Sequence, residues 1–84
     1  MEIITVYSRS GCHLCENALK EIAKFGDEFN FQVEEILIDG DRELEKKYGE
    51  EVPVILINGK RHDFFKVDPE RFRSAMQNES RRRQ

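Results

Sequence analysis

Long apolar runs are missing from this 84-residue chain. No stretch approaches the roughly 20 residues that cross a bilayer. The N-terminus has no basic segment leading into an apolar one, so no signal peptide is expected. The expectation is a cytoplasmic protein with no membrane partner, although a secreted chain already stripped of its leader would read the same. An excess of positive charge is missing too: 14 Lys and Arg against 17 Asp and Glu leave a net charge of -3. The single basic run, Arg81-Arg82-Arg83, is at the very end. A nucleic-acid binder needs a basic face to neutralise phosphates, so none is expected. Cysteine is scarce, with two in the whole chain and two residues between them. Secreted scaffolds stapled by disulfides use more cysteines and longer loops, and a bridge this short removes little entropy from the unfolded chain. Repeats and low-complexity linkers are also lacking.

What remains is one small domain. A chain of this length buries only roughly 60–65% of its unfolded surface, so its core is thin. Charged residues make up 37% and apolar ones 38%, but both signs are interleaved and the apolar residues fall in periodic runs over 1–77, unlike a disordered chain. The expected domain covers residues 1–78, with a frayed polar tail over 79–84.

Residues 2–7 are β-branched and aromatic and read as a strand buried on both faces. Ser8–Gly11 is a polar loop. A helix follows, whose small and apolar positions from Cys15 run Ala18, Leu19, Ile22, Phe25, Gly26 and Phe29 along one face, with Lys20, Glu21, Lys24 and Glu28 on the other. Gly26 weakens its end. Residues 31–38 give a second strand and 41–48 a short polar helix stopped by Gly49. The run Pro53-Val54-Ile55-Leu56-Ile57 reads as a central strand. Asn58-Gly59 is a hairpin turn, with the returning strand over 60–67. Asp68-Pro69 looks like an N-cap and first helical residue before a helix presenting Phe72, Ala75 and Met76. The order β-α-β-α-β-β-α implies an α/β domain with a mixed four-stranded sheet and helices on both faces.

Cys12-His13-Leu14-Cys15 falls where a strand gives way to a helix. The first turn of a helix has unpaired N–H groups and partial positive charge, so a thiolate at Cys12 would be stabilised there, and the thiolate is the reactive form of a group whose ordinary pKa is about 8.5. Cys15, one turn on, would lie on the buried face. That arrangement suits a reversible dithiol–disulfide couple in which exposed Cys12 attacks and Cys15 resolves. Three other readings stand beside it. The cysteines could be ordinary core residues. They could hold zinc with His13 and His62, although zinc wants four ligands and these are poorly spaced for one chain. Or the domain could be a binding module or redox-regulated adaptor without turnover.

The segment Val6-Tyr7-Ser8-Arg9-Ser10-Gly11-Cys12-x-x-Cys15, with Val52-Pro53 before an apolar strand, resembles a glutaredoxin of the thioredoxin superfamily. It is most similar to the short glutaredoxin-like proteins of poorly defined function that carry Cys-His-Leu-Cys. The resemblance spans residues 2–77. It implies a thioredoxin-like fold and a dithiol–disulfide oxidoreductase with Cys12 and Cys15 as catalytic residues. It also implies no resident cofactor or metal, an external thiol donor such as glutathione, a monomer, and disulfide-bearing proteins or small thiols as partners, the reducing partner being unnamed. It implies a cis Pro53 facing the disulfide, with the backbone at Val52 pairing with an extended substrate. Arg9 falls where glutaredoxins carry a lysine and would contact a glutathione carboxylate, its charge lowering the Cys12 pKa. A protonated His13 would favour the reduced form. The pattern departs in three places: His13-Leu14 replaces the usual Pro-Tyr between the cysteines, Glu51 replaces the threonine before Val-Pro, and Lys66-Val67-Asp68-Pro69 replaces a Gly-Gly-x-Asp stretch. Pro69 has no N–H and Asp68 adds negative charge, and both work against binding a carboxylate. Phe64 and Phe65, adjacent in a strand, are expected on opposite faces as core or helix cover rather than as a substrate platform, and His62 is expected at the surface.

Overall fold

A computed structural model describes residues 2–82. Along the chain stand β1 (Glu2–Ser8), α1 (His13–Ala23), β2 (Phe31–Leu37), α2 (Arg42–Tyr48), β3 (Val54–Ile57), β4 (Lys60–Phe64) and α3 (Pro69–Arg82). They form one sheet in the order β2-β1-β3-β4. β1 runs parallel to β2 and antiparallel to β3, and β3 is antiparallel to β4. This is the α/β architecture expected, with the parallel pair made by the β1–α1–β2 crossover.

The core lies on one face. Ile4 and Val6 of β1 stand in register with Ile57 and Ile55 of β3, and Ala18, Ile22 and Phe25 from α1 and its end, with Phe72 and Met76 of α3, close over them. Phe72 is fully buried. Its ring centroid lies 5.0 Å from that of Phe25 and 6.3 Å from that of Phe31, and burying such a side chain contributes about 1.5–3 kcal/mol. α1 ends at Ala23, and the next amides, of Lys24, Phe25 and Gly26, bond three residues back rather than four. This tightened last turn still delivers Phe25 and Phe29 to the core.

The other face is thinly covered, which corrects the expectation that residues 2–7 are buried on both sides. Tyr7 points there and stacks on Tyr48 of α2, centroids 4.4 Å apart. α2 has only seven residues, about 10 Å of helix, so Ile3, beyond its reach on β1, stays 40% exposed.

The hairpin forms as expected. Asn58 and Gly59 both have positive φ, 52° and 83°, as a tight turn matched to strand twist requires. Asn58 Oδ1 accepts from the Ile3 amide at 2.9 Å and Nδ2 donates to Glu79 Oε2 at 3.1 Å, tying the turn to β1 and α3. That anchor, with no Gly or Pro beyond Pro69, accounts for a helix that runs to Arg82 instead of fraying after Asn78. Residues 83 and 84 of the expected tail lie outside the described residues.

One side chain on β4, and the point where the strand ends, differ from expectation. The register shifts between Ile55 and Leu56, which leaves His62 as the extra residue of a bulge. Its ring turns inward, edge-on to Phe72 at 6.0 Å. His62 is half-buried, not a surface residue, and its Nε2 is buried without a hydrogen-bond partner among the described residues. Burial first, with Arg71 adding, holds its pKa below the ordinary value, while Asp63 and Asp68 act the other way. The strand then stops at Phe64 rather than 67, because Phe65 takes a left-handed φ of 67°.

Candidate active site

The site gathers at one end of the sheet. Tyr7, Val54 and Phe64 stand side by side across β1, β3 and β4. One or two residues beyond that row the three strands give way to the Ser8–Gly11 loop, to Val52-Pro53 and to Phe65.

The loop after β1 is built by short local bonds. Ile38 donates its amide to the Ser8 carbonyl at 2.9 Å, and Cys12 donates to the Arg9 carbonyl at 3.2 Å. Gly11, third in the turn that second bond closes, has φ 73°, which a residue without Cβ adopts freely. Asp39 Oδ2 accepts from the Ser10 amide at 2.8 Å, and Oδ1 lies 3.8 Å from Arg9 Nε. Hydrogen bonds from Ser10, hydroxyl and then amide, hold the Asp39 carboxyl below its ordinary range, and the Arg9 guanidinium adds to the effect. Below the loop, fully buried Ser8 donates from Oγ to Glu35 Oε2 at 2.8 Å.

This turn delivers Cys12 to the N-cap of α1 with extended φ/ψ of -89° and 107°. Its Sγ accepts from the Cys15 amide at 3.1 Å, the role a serine or aspartate oxygen usually fills. Cys12 is partly exposed and Cys15 is 2% exposed. The two form a disulfide, with Cα atoms 5.2 Å apart. The expected division, an exposed first cysteine and a buried second one, is met in part: Cys15 is buried, and Cys12 is intermediate rather than exposed.

Val52–Pro53 is a cis peptide bond, as the resemblance implied, and Pro53 is fully buried. Its carbonyl accepts from the Phe65 amide at 2.9 Å. Glu51, two residues earlier, pairs with Arg61 of β4, whose guanidinium also covers the Phe64 ring at 5.1 Å. Arg9 is turned along its own loop toward Asp39. His13 is 93% exposed at its side chain, and its Nδ1 lies 3.9 Å from Glu16 Oε2. His13 therefore stands out in solvent, while His62 is packed on Phe72. No group of three or more His, Cys, Asp or Glu side chains suited to a metal occurs among the described residues.

Phe64 and Phe65 are where the sequence reading fails. They are neither core nor cover: they are 42% and 44% exposed. Nor do they face opposite ways, because the positive φ of Phe65 swings its ring back until the two centroids are 4.9 Å apart at 62°. A bulky residue in this backbone region is uncommon and costs about 1–2 kcal/mol. The usable signal was their position near the end of an edge strand, where two successive large aromatics cannot both find a core.

Comparison with known proteins agrees with this geometry. The family model of the Glutaredoxin-like domain (DUF836) matches residues 3–77. The chain belongs to this glutaredoxin-like family. It is similar to an uncharacterised protein of Mycobacterium tuberculosis, 28% identical over 76 residues that cover 84% of this chain and 78% of that one. Among solved structures, an X-ray structure of a protein from X. campestris is 31% identical with a TM-score of 0.76, covering 89% of this chain and 96% of that one. A solution structure from Nitrosomonas europaea is 28% identical with a TM-score of 0.79, covering 89% and 91%. A thioredoxin from Halobacterium salinarum, 15% identical, superposes with a TM-score of 0.65 over 92% of this chain and 73% of that one. That last likeness speaks to fold alone, and this glutaredoxin-like domain has the thioredoxin-type fold. None of its described helices is long and apolar enough to cross a membrane.

Proposed function

We propose that this glutaredoxin-like domain is a thiol–disulfide oxidoreductase working through Cys12 and Cys15. The observation that carries the reading is the Cys15 amide pointed at Cys12 Sγ, 3.1 Å away at the N-cap of α1. The unpaired amides and positive end of the helix favour a thiolate over a thiol there. In the reduced protein the Cys12 thiolate attacks one sulfur of a substrate disulfide. A Cys12–substrate disulfide forms, and the other substrate sulfur leaves as a thiolate. Cys15, having given up its proton to solvent or to that leaving thiolate, then attacks Cys12 Sγ. The intramolecular disulfide forms and the second substrate sulfur leaves. Two electrons pass to the substrate, and an external thiol donor returns them. On this reading the backbone at Val52-Pro53 lines an extended substrate, Arg9 and His13 would have to turn from Asp39 and from solvent to contact it, and the domain acts as a monomer in the cytoplasm without a resident cofactor.

The test is the redox equilibrium of the purified protein in glutathione buffers of defined potential, with free thiols counted by alkylation and mass spectrometry. A two-electron transition between about -270 and -120 mV is expected. Thiols that never pair, or a bridge that no buffer reduces, would leave a binding module or a structural bridge in its place.

A further inference from the structure

At the same end of the sheet as the disulfide the structure offers apolar surface where a small anionic thiol would need donors. Phe64 and Phe65 are both over two-fifths exposed, and their rings meet edge to face just past Pro53. Leu14, between the two cysteines, is 50% exposed. Several polar groups that could receive a carboxylate are already engaged. The Phe65 amide donates to the Pro53 carbonyl, Arg61 pairs with Glu51, and Arg9 lies toward Asp39. Exposed Glu50, two residues before Val52, adds negative charge there. Glutathione carries two carboxylates, which negative charge here disfavours, whereas a half-cystine within a polypeptide has no terminal carboxylate nearby.

We propose that the Phe64–Phe65 pair is a specificity platform that receives an apolar side chain flanking the half-cystine of an extended polypeptide, so that the domain reduces protein disulfides in preference to glutathione disulfide. This rests on the exchange reading above and names its substrate class. The chemistry is unchanged: the Cys12 thiolate attacks the peptide half-cystine and a peptide thiolate leaves. Cys15 then closes the Cys12–Cys15 disulfide, releasing the second peptide thiol, and a low-molecular-weight dithiol returns the two electrons. The aromatic pair touches the substrate's neighbouring side chain and not the reacting sulfurs. A rigid aromatic surface gains from burial against an apolar partner at little cost in conformational entropy.

The experiment uses the full chain reduced with dithiothreitol and freed of it. Its reoxidation is followed by alkylation during single turnover with three substrates: a peptide disulfide flanked by Leu and Phe, the same peptide flanked by Ser and Gly, and glutathione disulfide. The apolar peptide is expected to react about tenfold faster than either of the others at equal concentration, a difference of about 1.4 kcal/mol. Phe64→Ser should lose most of that preference, as should Phe65→Gly, which removes the ring while relaxing the backbone and so guards against a folding defect. The reaction with the Ser/Gly peptide and the redox midpoint should not move. Equal rates for the three substrates, a preference for glutathione disulfide, or a preference kept by both variants would overturn this proposal while leaving the exchange reading intact. Failure to react with any disulfide would overturn both.

Discussion

Phe65 has a left-handed φ of 67°, and the energetic consequence can be isolated by comparing Phe65→Ala with Phe65→Gly. Both substitutions delete the same ring, which is 44% exposed and touches Phe64, so the lost contacts nearly cancel between them. What differs is the backbone. Alanine in this region has its Cβ against the following carbonyl, at about 1–2 kcal/mol. Glycine does not, but it has more freedom to lose on folding, about 0.4–1 kcal/mol. The difference leaves the glycine variant more stable by about 0.5–1 kcal/mol, the reverse of the usual order of the two residues. For a domain of this size that is about 2–8 °C in Tm. Gly59 supplies a calibration: at φ 83°, a Cβ built there meets nothing within 4 Å, so Gly59→Ala should lose a similar amount for conformational reasons alone. Urea unfolding of the oxidised proteins measures all three, with the disulfide intact throughout so that the unfolded reference is shared. If Phe65→Ala equals or exceeds Phe65→Gly while Gly59→Ala behaves as stated, Phe65 is not held in a left-handed conformation in solution.

His62 should make stability depend on pH. Its folded pKa lies below the ordinary value because burial disfavours the imidazolium. Below ~6.5 the unfolded chain therefore binds a proton that the folded one refuses, and stability falls as pH drops through the unfolded value until the lower folded value is reached. Between about pH 7.5 and pH 5.5 the wild type should lose more stability than His62→Leu in urea titrations, and parallel losses would mean that the ring is solvated. Cys15→Ser should keep the first exchange step and stop at the second. A Cys12–peptide disulfide should then accumulate, visible as a mass adduct that dithiothreitol removes, and rapid release of product without an adduct would take the resolving role away from Cys15.

Most of the fold could be read from the chain because its elements are marked by local chemistry. Asn58-Gly59 demands positive φ, Asp68-Pro69 opens a helix, and Ile4, Val6, Ile22 and Phe72 repeat at strand or helix spacing. Cys12 could be assigned to the start of α1 for the same reason: the order strand, polar loop, cysteine is local. Less visible were properties fixed by register and by the limits of covering elements. The bulge that turns His62 onto Phe72 depends on how β4 pairs with β3, and no residue type announces it. The exposure of Ile3 follows from the shortness of α2 above its sheet face. The Phe64–Phe65 surface depends on where β4 stops, and a strand pattern carried on to residue 67 sends the two rings to opposite sides.

These differences bear on how the candidate site divides its work. The hydrogen bonds that hold Cys12 at the helix start are with backbone: the Cys15 amide on its Sγ, and its own amide on the Arg9 carbonyl across the Gly11 turn. Side-chain changes in the loop would therefore leave the stabilisation of a thiolate largely in place. The far wall, in contrast, is made by side chains whose positions follow from where β3 begins and β4 ends, with Glu51 bound to Arg61 and Arg61 lying over Phe64. An aromatic residue persists at φ 67° there although glycine fits that backbone better, and strain of this kind survives only where the surroundings hold it in place. The Phe65 amide bonded to Pro53 is the tie that does so. The same contact thus fixes the strained residue, whose ring stands against Phe64. If the domain exchanges disulfides as proposed, its thiolate chemistry would depend on the helix end and its choice of substrate on the end of β4, and substitutions should be able to alter one without the other.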